Sequence, residues 1–476
     1  MAQSGFFATG KASKGALAAL ALLPAFGSVA QESGVGKDGP AADPGALGQA
    51  VALTRVVREQ PSGLNEYRLY YDQALADRQY LEAEAAAKQM VDFMNERGDG
   101  DDRDMADALS RLAVAQRFSE RYDSALQNYE AAIRILESSE NRLSDQLVEP
   151  LRGIGDTYVA SGSPALALPV YQHAVHITHV NEGPHNLDQV DILDSMVNAE
   201  MLSGDADAAL DLTDRMYALY ARAFAGDGEE VLPVLQRKAE LLNDLGRHQQ
   251  ERMVYREIVR IIEDHRGEAD LSLYETYTAL GRTYFHDLDE VIFRSEPTTE
   301  TGETFLKKAL EIAEENPGAT WLMREQALIE LGDYYTVRDV QDKARMQYRR
   351  AWELTSRAGH LDQRKRDLEQ VIPLVQSKLD PSANFGYRSD HEEIDPADYK
   401  NGYVVARFTV NDRGRVTDTE VVDADPAGFA AMETRVRNAL QDFIYRPRYE
   451  DGQPTRMPAQ TFRHEFLYLD RDLEGN

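Results

Sequence analysis

Apolar positions in this chain recur with two spacings at once. Locally they fall three and four residues apart, the spacing of one face of an α-helix, and the whole pattern then repeats in steps of 42 residues. From Ala167 that step reaches Ala83, Ala125, Ala209 and Glu251, and then Ala344 after one extra slip of nine. Four residues beyond the anchor stand Ala87, Tyr129, Tyr171, Thr213, Tyr255, Leu306 and Tyr348. Seven beyond it stand Met90, Ala132, Ala174, Met216, Ile258, Ala309 and Ala351, and twelve before it Tyr71, Ala113, Gly155, Val197, Ala239, Gly281 and Gly332. Residues 148–183 show one unit: two helical segments joined by Ala160-Ser161-Gly162-Ser163-Pro164, with small residues at Gly155, Ala167 and Ala174 and bulk from Tyr158, Leu166, Leu168, Val170 and Tyr171. A helix hairpin of this kind has apolar faces that only neighbouring hairpins can cover. The pattern therefore predicts a stack of them.

The order small, Tyr, Ala, Tyr, Ala is clearest in Gly155/Tyr158/Ala167/Tyr171/Ala174 and in Gly332/Tyr335/Ala344/Tyr348/Ala351, and it resembles the tetratricopeptide repeat. That repeat is usually about 34 residues long, so the longer unit predicts about one more turn on each helix. The length, with Asn181-Glu182-Gly183-Pro184-His185 between units, is similar to the kinesin-light-chain variety. The resemblance spans about Pro61 to Leu379 and implies a mostly α, right-handed α-solenoid whose first helices line a groove. Groove positions then fall on Arg152, Asp156, Gln236, Asn243 and Arg282, polar residues on otherwise apolar helices, although a merely solvated face gives the same pattern. Asp99 to Asp104 reads as an acidic break between the first two units. The insertion between Gly281 and Gly302, with Ser295-Glu296-Pro297-Thr298-Thr299 at its tip, reads as a surface loop, with Val291-Ile292-Phe293 apolar enough to pack. Leu368, Val371, Leu374 and Val375 predict one further helix over 361–379, capping an array that covers 53–379. Asp380 to Lys400, acidic and with two prolines, reads as a linker.

Beyond the linker the period changes to two. Tyr403 to Val410 puts Val404, Ala406, Phe408 and Val410 on one face of a strand; Asn411-Asp412-Arg413-Gly414 is a hairpin turn; Arg415 to Val422 returns. Phe429, Met432, Val436, Leu440 and Phe443 fall on one helical stripe, and Thr461 to Leu469 alternates again with Phe462, His464, Phe466 and Tyr468 together. A small α+β domain of strand, strand, helix, strand over 401–476 follows. With Gly402 and the strand Val404 to Val410, Gly414-Arg415-Val416, Asn438-Ala439-Leu440, Phe443-Ile444-Tyr445-Arg446-Pro447 and Asp451-Gly452-Gln453-Pro454, this region resembles the C-terminal domain of the TonB energy transducer. The Tyr-Pro motif usual before the first strand, a proline-rich reach segment and a full membrane helix before the domain are lacking. The resemblance implies that the last strand takes up an outer-membrane receptor peptide by strand addition, with Arg463, His464, Glu465 and Phe466 as its partner-binding residues. Pairing of the same edge with a second copy, giving a homodimer, competes with that expectation.

A net charge of −30 argues against nucleic acid or anionic lipid as the main partner. Lys11 and Lys14, the apolar run Gly15 to Phe26 and Ser28-Val29-Ala30 read as a signal peptide over 1–30, followed by a flexible lead-in over 31–52. An uncleaved inner-membrane anchor is the competing reading, but the run is broken by Pro24 and shorter than the roughly 20 residues a bilayer needs. Export with no cysteine anywhere rules out disulfides and thiol chemistry and points to a periplasm. His173, His176, His179 and His185 lie within thirteen residues, yet no acid or cysteine completes a ligand set at fixed spacing. No nucleophile elbow, phosphate loop, zinc helix or dinucleotide fingerprint is present. The expectation is a non-enzymatic binding protein without cofactor or metal, either part of a TonB-type transport system or an envelope scaffold whose last domain serves packing or dimerisation.

Overall fold

The computed structural model describes residues 63–97, 101–286 apart from 225 and 227, 300–357, scattered positions between 359 and 379, and 399–473 apart from 451. The expected leader, lead-in and start of the array, most of the insertion and most of the linker lie outside the described residues. Seven helix hairpins come first: α1 (Leu64–Ala76) with α2 (Tyr80–Arg97), α3 (Asp102–Phe118) with α4 (Tyr122–Ser139), α5 (Val148–Ala160) with α6 (Pro164–Glu182), α7 (Val190–Ser203) with α8 (Ala206–Ala223), α9 (Leu232–Asp244) with α10 (His248–Arg266), α11 (Ser272–Arg282) with α12 (Gly302–Glu315), and α13 (Trp321–Val337) with α14 (Gln341–Arg357). The chain divides into two compact units, 1–219 and 220–476.

Every anchor of the 42-residue step is buried, Glu251 included, and so are the positions four and seven beyond it except the half-buried Tyr255. The small residues exist because an aromatic ring occupies their space. A methyl group added to Gly155 would lie 2.4 Å from the Tyr171 ring, and one on Gly332 would lie 2.6 Å from that of Tyr348. Leu166, counted as bulk from its spacing, stays on the surface at 55% exposure.

The turns obey the same period. Arg78, Glu120, Gly162, Gly204 and Gly246 all have positive φ, each 42 residues after the last, and Asp339, also at positive φ, follows Gly246 by two such steps and the slip of nine. Around each, the backbone closes with paired bonds, such as Gly162 N–H to the Val159 carbonyl at 3.0 Å and Ser163 N–H to that of Tyr158 at 2.8 Å. This is a Schellman termination, whose left-handed residue lets the last carbonyls of the first helix find donors. Asp102, Arg103 and Asp104 of the acidic break belong to α3 rather than to a loop. Asp101 caps it by accepting from the Arg103 N–H at 3.1 Å, and Asp102 and Asp104 sit in its first turn, where negative charge suits the helix dipole.

The C-terminal region carries the expected order, with additions. Strand β2 (Lys400–Val410) lies at the centre of an antiparallel sheet between β3 (Val416–Asp425) and β7 (Met457–Tyr468), and α15 (Ala430–Gln441) covers one face. The core holds Val404, Phe408, Phe429, Met432, Val436, Leu440, Phe443 and Phe466, the stripe and alternation read from the sequence. Short strands β5 (Arg448–Glu450) and β6 (Gln453–Thr455) form a ribbon of their own. The expected capping helix over 361–379 needs correction at its end: Pro373–Val375 is a strand, β1, paired antiparallel with β4 (Ile444–Tyr445), while Leu368 and Val371 lie outside the described residues. Its leucine and valines fit a helical period, but the ladder offered by β4 wins, as tertiary pairing routinely overrides a short apolar run.

Candidate interaction surfaces

The five groove positions sit on first helices, as expected, and most are occupied inside the protein. On α5, Asp156 accepts from the Tyr171 hydroxyl at 2.7 Å and pairs with Arg117 at 3.2 Å, while Arg152 stands 3.8 Å from Asp191. In the second unit, Asn243 donates to Glu251 at 3.1 Å and Arg282 donates through Nε to Glu330 at 2.7 Å. Gln236 is exposed. These side chains hold helices together as well as facing outward, a double duty that spacing could not reveal. The four clustered histidines do not converge on one point; His179 instead contacts Gln189 and Arg215. Among the described residues no three His, Asp or Glu side chains are placed to hold a metal ion.

At the sheet edge the arrangement is sharper. Among the described residues β7 is bonded to β2 on one side only, so the backbone groups of its other side offer a template for a further strand. His464 and Phe466 turn into the core, at 7% and 2% exposure, so of the four residues expected to meet a partner these two present backbone alone. Arg463 and Glu465 face out. Arg463 donates to Glu465 at 3.0 Å and lies 3.8 Å above the Tyr403 ring, and the Tyr403 hydroxyl donates to Asp423 at 3.1 Å. A connected polar row thus crosses all three strands on the open face. The pKa of the Tyr403 hydroxyl is raised, first by its bond to Asp423.

A third constellation went unread in the sequence. Asp333, beside Gly332 on α13, is buried, and Arg446, within the Phe443 to Pro447 motif, reaches it with both prongs of its guanidinium, one at 2.8 Å. The Tyr348 hydroxyl adds a bond of 2.6 Å to the same carboxylate. Burial alone would lower the Arg446 pKa, but the carboxylate more than offsets it and the group is held above its ordinary value. Burial, with Asp333 beside it, raises the Tyr348 hydroxyl well above the usual range. The Tyr348–Asp333 pair repeats Tyr171–Asp156 of the third hairpin; there the cation is Arg117 of the preceding hairpin, here it comes from the C-terminal region. Around it, Tyr449 packs on Tyr348 with ring centres 4.9 Å apart, Arg446 N–H donates to the Ile372 carbonyl at 2.9 Å, and Arg345 faces Asp412 at 3.5 Å. Gly414, at positive φ, lies where a side chain would strike the Tyr445 carbonyl and Thr336. The sequence signal was there in the repeated Gly-Asp, but nothing local names a partner 113 residues away.

No curated protein matches this chain in sequence. Among solved structures, BtubC (BKLC) from P. vanneervenii is 17% identical over 50% of this chain and 92% of its own, with a TM-score of 0.36. Nearly identical kinesin-light-chain TPR-like repeats from Podosopora anserina are 14% identical over 43% and 99%, with a TM-score of 0.37. The C-terminal part of a TPR repeat-containing protein from Cytophaga hutchinsonii is 13% identical over 60% and 95%, with a TM-score of 0.40. Likenesses this loose say nothing about partner or activity. The tetratricopeptide repeat family itself matches residues 104–178, two hairpins whose small-residue columns and Schellman turns continue on either side at the same period: the chain carries a tetratricopeptide-repeat array, built for protein–protein interaction, ahead of a small strand-rich C-terminal region.

Proposed function

We propose that this chain is an exported, periplasmic interaction component of a TonB-type outer-membrane transport system, non-catalytic, whose last strand binds a receptor peptide by strand addition while the repeats hold a second partner. The observation that carries the reading is the single-sided pairing of β7, with its apolar face buried and Arg463 and Glu465 left outward. Such an edge gains backbone bonds from an extended peptide, and alternate side chains set its choice. The motif residues Gly402 and Phe443 to Pro447 support the TonB resemblance, and the series from Lys11 to Ala30 supports export. Among the described residues no helix is long and apolar enough to cross a membrane.

The test is hydrogen exchange on the full chain with and without peptides from the N-termini of outer-membrane receptors. Protection confined to 457–468, with at least a tenfold loss of affinity in Arg463→Glu, is the expected result. Intact mass from a periplasmic extract should begin at Gln31; a membrane-bound chain still starting at Met1 contradicts the export element.

The docking of Arg446 on Asp333 favours a second reading, an envelope scaffold in which the TonB-like region serves packing or self-association. No protection with any peptide, together with a concentration-dependent dimer that shields the same strand, would select it.

A further inference from the structure

Helices α6, α7 and α8 line an open pocket of about 200 Å³ that uses none of the first-helix positions discussed above. Gln172, Val175, His176 and His179 of α6, Met196 of α7 and Arg215 of α8 line it. One wall is cationic or polar, the floor is apolar, and no carboxylate takes part.

Arg215 contrasts with three arginines of the preceding helices. Its neighbours of the earlier hairpins all reach acids: Arg111 meets Asp72 and Asp107, Arg117 meets Asp156, and Arg152 faces Asp191. Arg215 instead places one terminal nitrogen 2.6 Å from Gln189 Oε1, to which it donates, and 2.9 Å from His179 Nε2, neither of them an acid. Gln189 is fully buried, and its amide nitrogen is committed to the carbonyls of Pro184 at 3.2 Å and Asn186 at 2.9 Å. Its oxygen is therefore fixed toward Arg215. His179 Nε2 also lies 2.8 Å from that same Gln189 oxygen, so imidazole, amide and guanidinium form one cluster that contains no acid. The guanidinium is held in place by groups that orient it without cancelling its charge. One repeat earlier, the positions of Gln172 and His179 hold Glu130 and Glu137; here, where the cavity opens, both acids are gone. Burial lowers the Arg215 pKa with no anion to counter it, which fits a charge awaiting a partner.

We propose that this cavity is an oxyanion site, with Arg215 as the charge that receives a carboxylate or phosphate, His176 and Gln172 as further hydrogen-bonding groups, and Val175 and Met196 as a floor for a short apolar stem. A guanidinium fork matches two oxygens of such a group and is the residue best suited to it. In a chain of net charge −30, a local site is needed for any anion to bind, because the overall field repels it.

The test follows the ring C–H resonances of His176 and His179 in the full chain during titration with acetate, isobutyrate and inorganic phosphate at constant ionic strength, with chloride as the screening control. Saturable shifts of these two histidines are expected for at least one oxyanion, and Arg215→Gln should weaken them at least tenfold while Arg215→Lys, which keeps the charge without the fork, loses less. Isobutyrate binding tighter than acetate assigns the site to a carboxylate on an apolar stem; phosphate binding tightest assigns it to phosphate. A response no larger than with chloride, or one unchanged in Arg215→Gln, overturns the proposal, and the wild-type titration decides it even if a variant fails to fold.

Discussion

Gly155 and Tyr171 fit each other like a hole and its plug, which makes the smallest residue of the repeat the one least open to change. Gly155→Ala should destabilise the protein by about 1–3 kcal/mol through overpacking, read as a fall in apparent melting temperature; an unchanged melt would show that the ring has room to move. Glu303 gives a residue-scale pH dependence. Burial works against its ionisation, but hydrogen bonds from Lys307, Tyr335 and Lys343 outweigh that and bring its pKa down to about 2. A carboxylate depressed in the folded state contributes stability above its unfolded pKa and loses it as pH falls. Glu303→Gln should therefore cost about 2 kcal/mol at pH 7, the roughly 3.4 kcal/mol of that shift reduced by solvent screening at a part-exposed site, and the difference from the native protein should shrink between about pH 4.5 and pH 2. A gap that persists at pH 2 would contradict the pairing as its source.

At the scale of elements, the helix hairpins announce themselves because their cause is local. A period of three and four, a left-handed turn residue and a small residue facing a tyrosine are all written within one unit and repeated. The strand at Pro373–Val375 has no such cause; its ladder partners lie 69 to 72 residues on, at Ile444 and Tyr445, so its apolar spacing read as a helix. The ion pair tying α13 to the segment after β4 permits a test. Arg446→Ala leaves a buried carboxylate unpaired and should destabilise the second unit by about 3–5 kcal/mol, whereas Arg446→Met with Asp333→Leu should recover much of that loss. Chemical denaturation of the two variants decides it; equal losses would mean that packing around Tyr348, and not the buried charge, governs the contact.

On the scale of the molecule, the array's last hairpin meets the C-terminal region within one compact unit, through Arg446, Tyr449, Arg345 and Gly452 against Trp352. A solenoid ends on an apolar face that needs a cover, and here the strand-rich region supplies much of it. Deleting residues 400–476 should expose Tyr348 and Trp352, lower the melting temperature of the remaining repeats and promote association, measured by scanning calorimetry and light scattering. An array that melts as before and stays monomeric would show that the region is only tethered. Surface charge acts at this scale too: −30 keeps the chain soluble and biased against anionic partners, which is why a pocket around one unneutralised arginine stands out.

The amino-acid order by itself determined the repeat length, the columns of small and aromatic residues, the turn positions, and the strand–strand–helix–strand course of the last region, with β7's alternation. All of these are set by neighbours within a few residues or by the same unit recurring. Tertiary structure alone decided that Asp156 and Arg282 are spent on internal pairs, that Asp333 receives Arg446, and that Arg215 meets His179 and Gln189. Each of those depends on side chains tens to more than a hundred residues apart. Their encounter is fixed by packing of whole helices and strands, and no spacing along the chain encodes it.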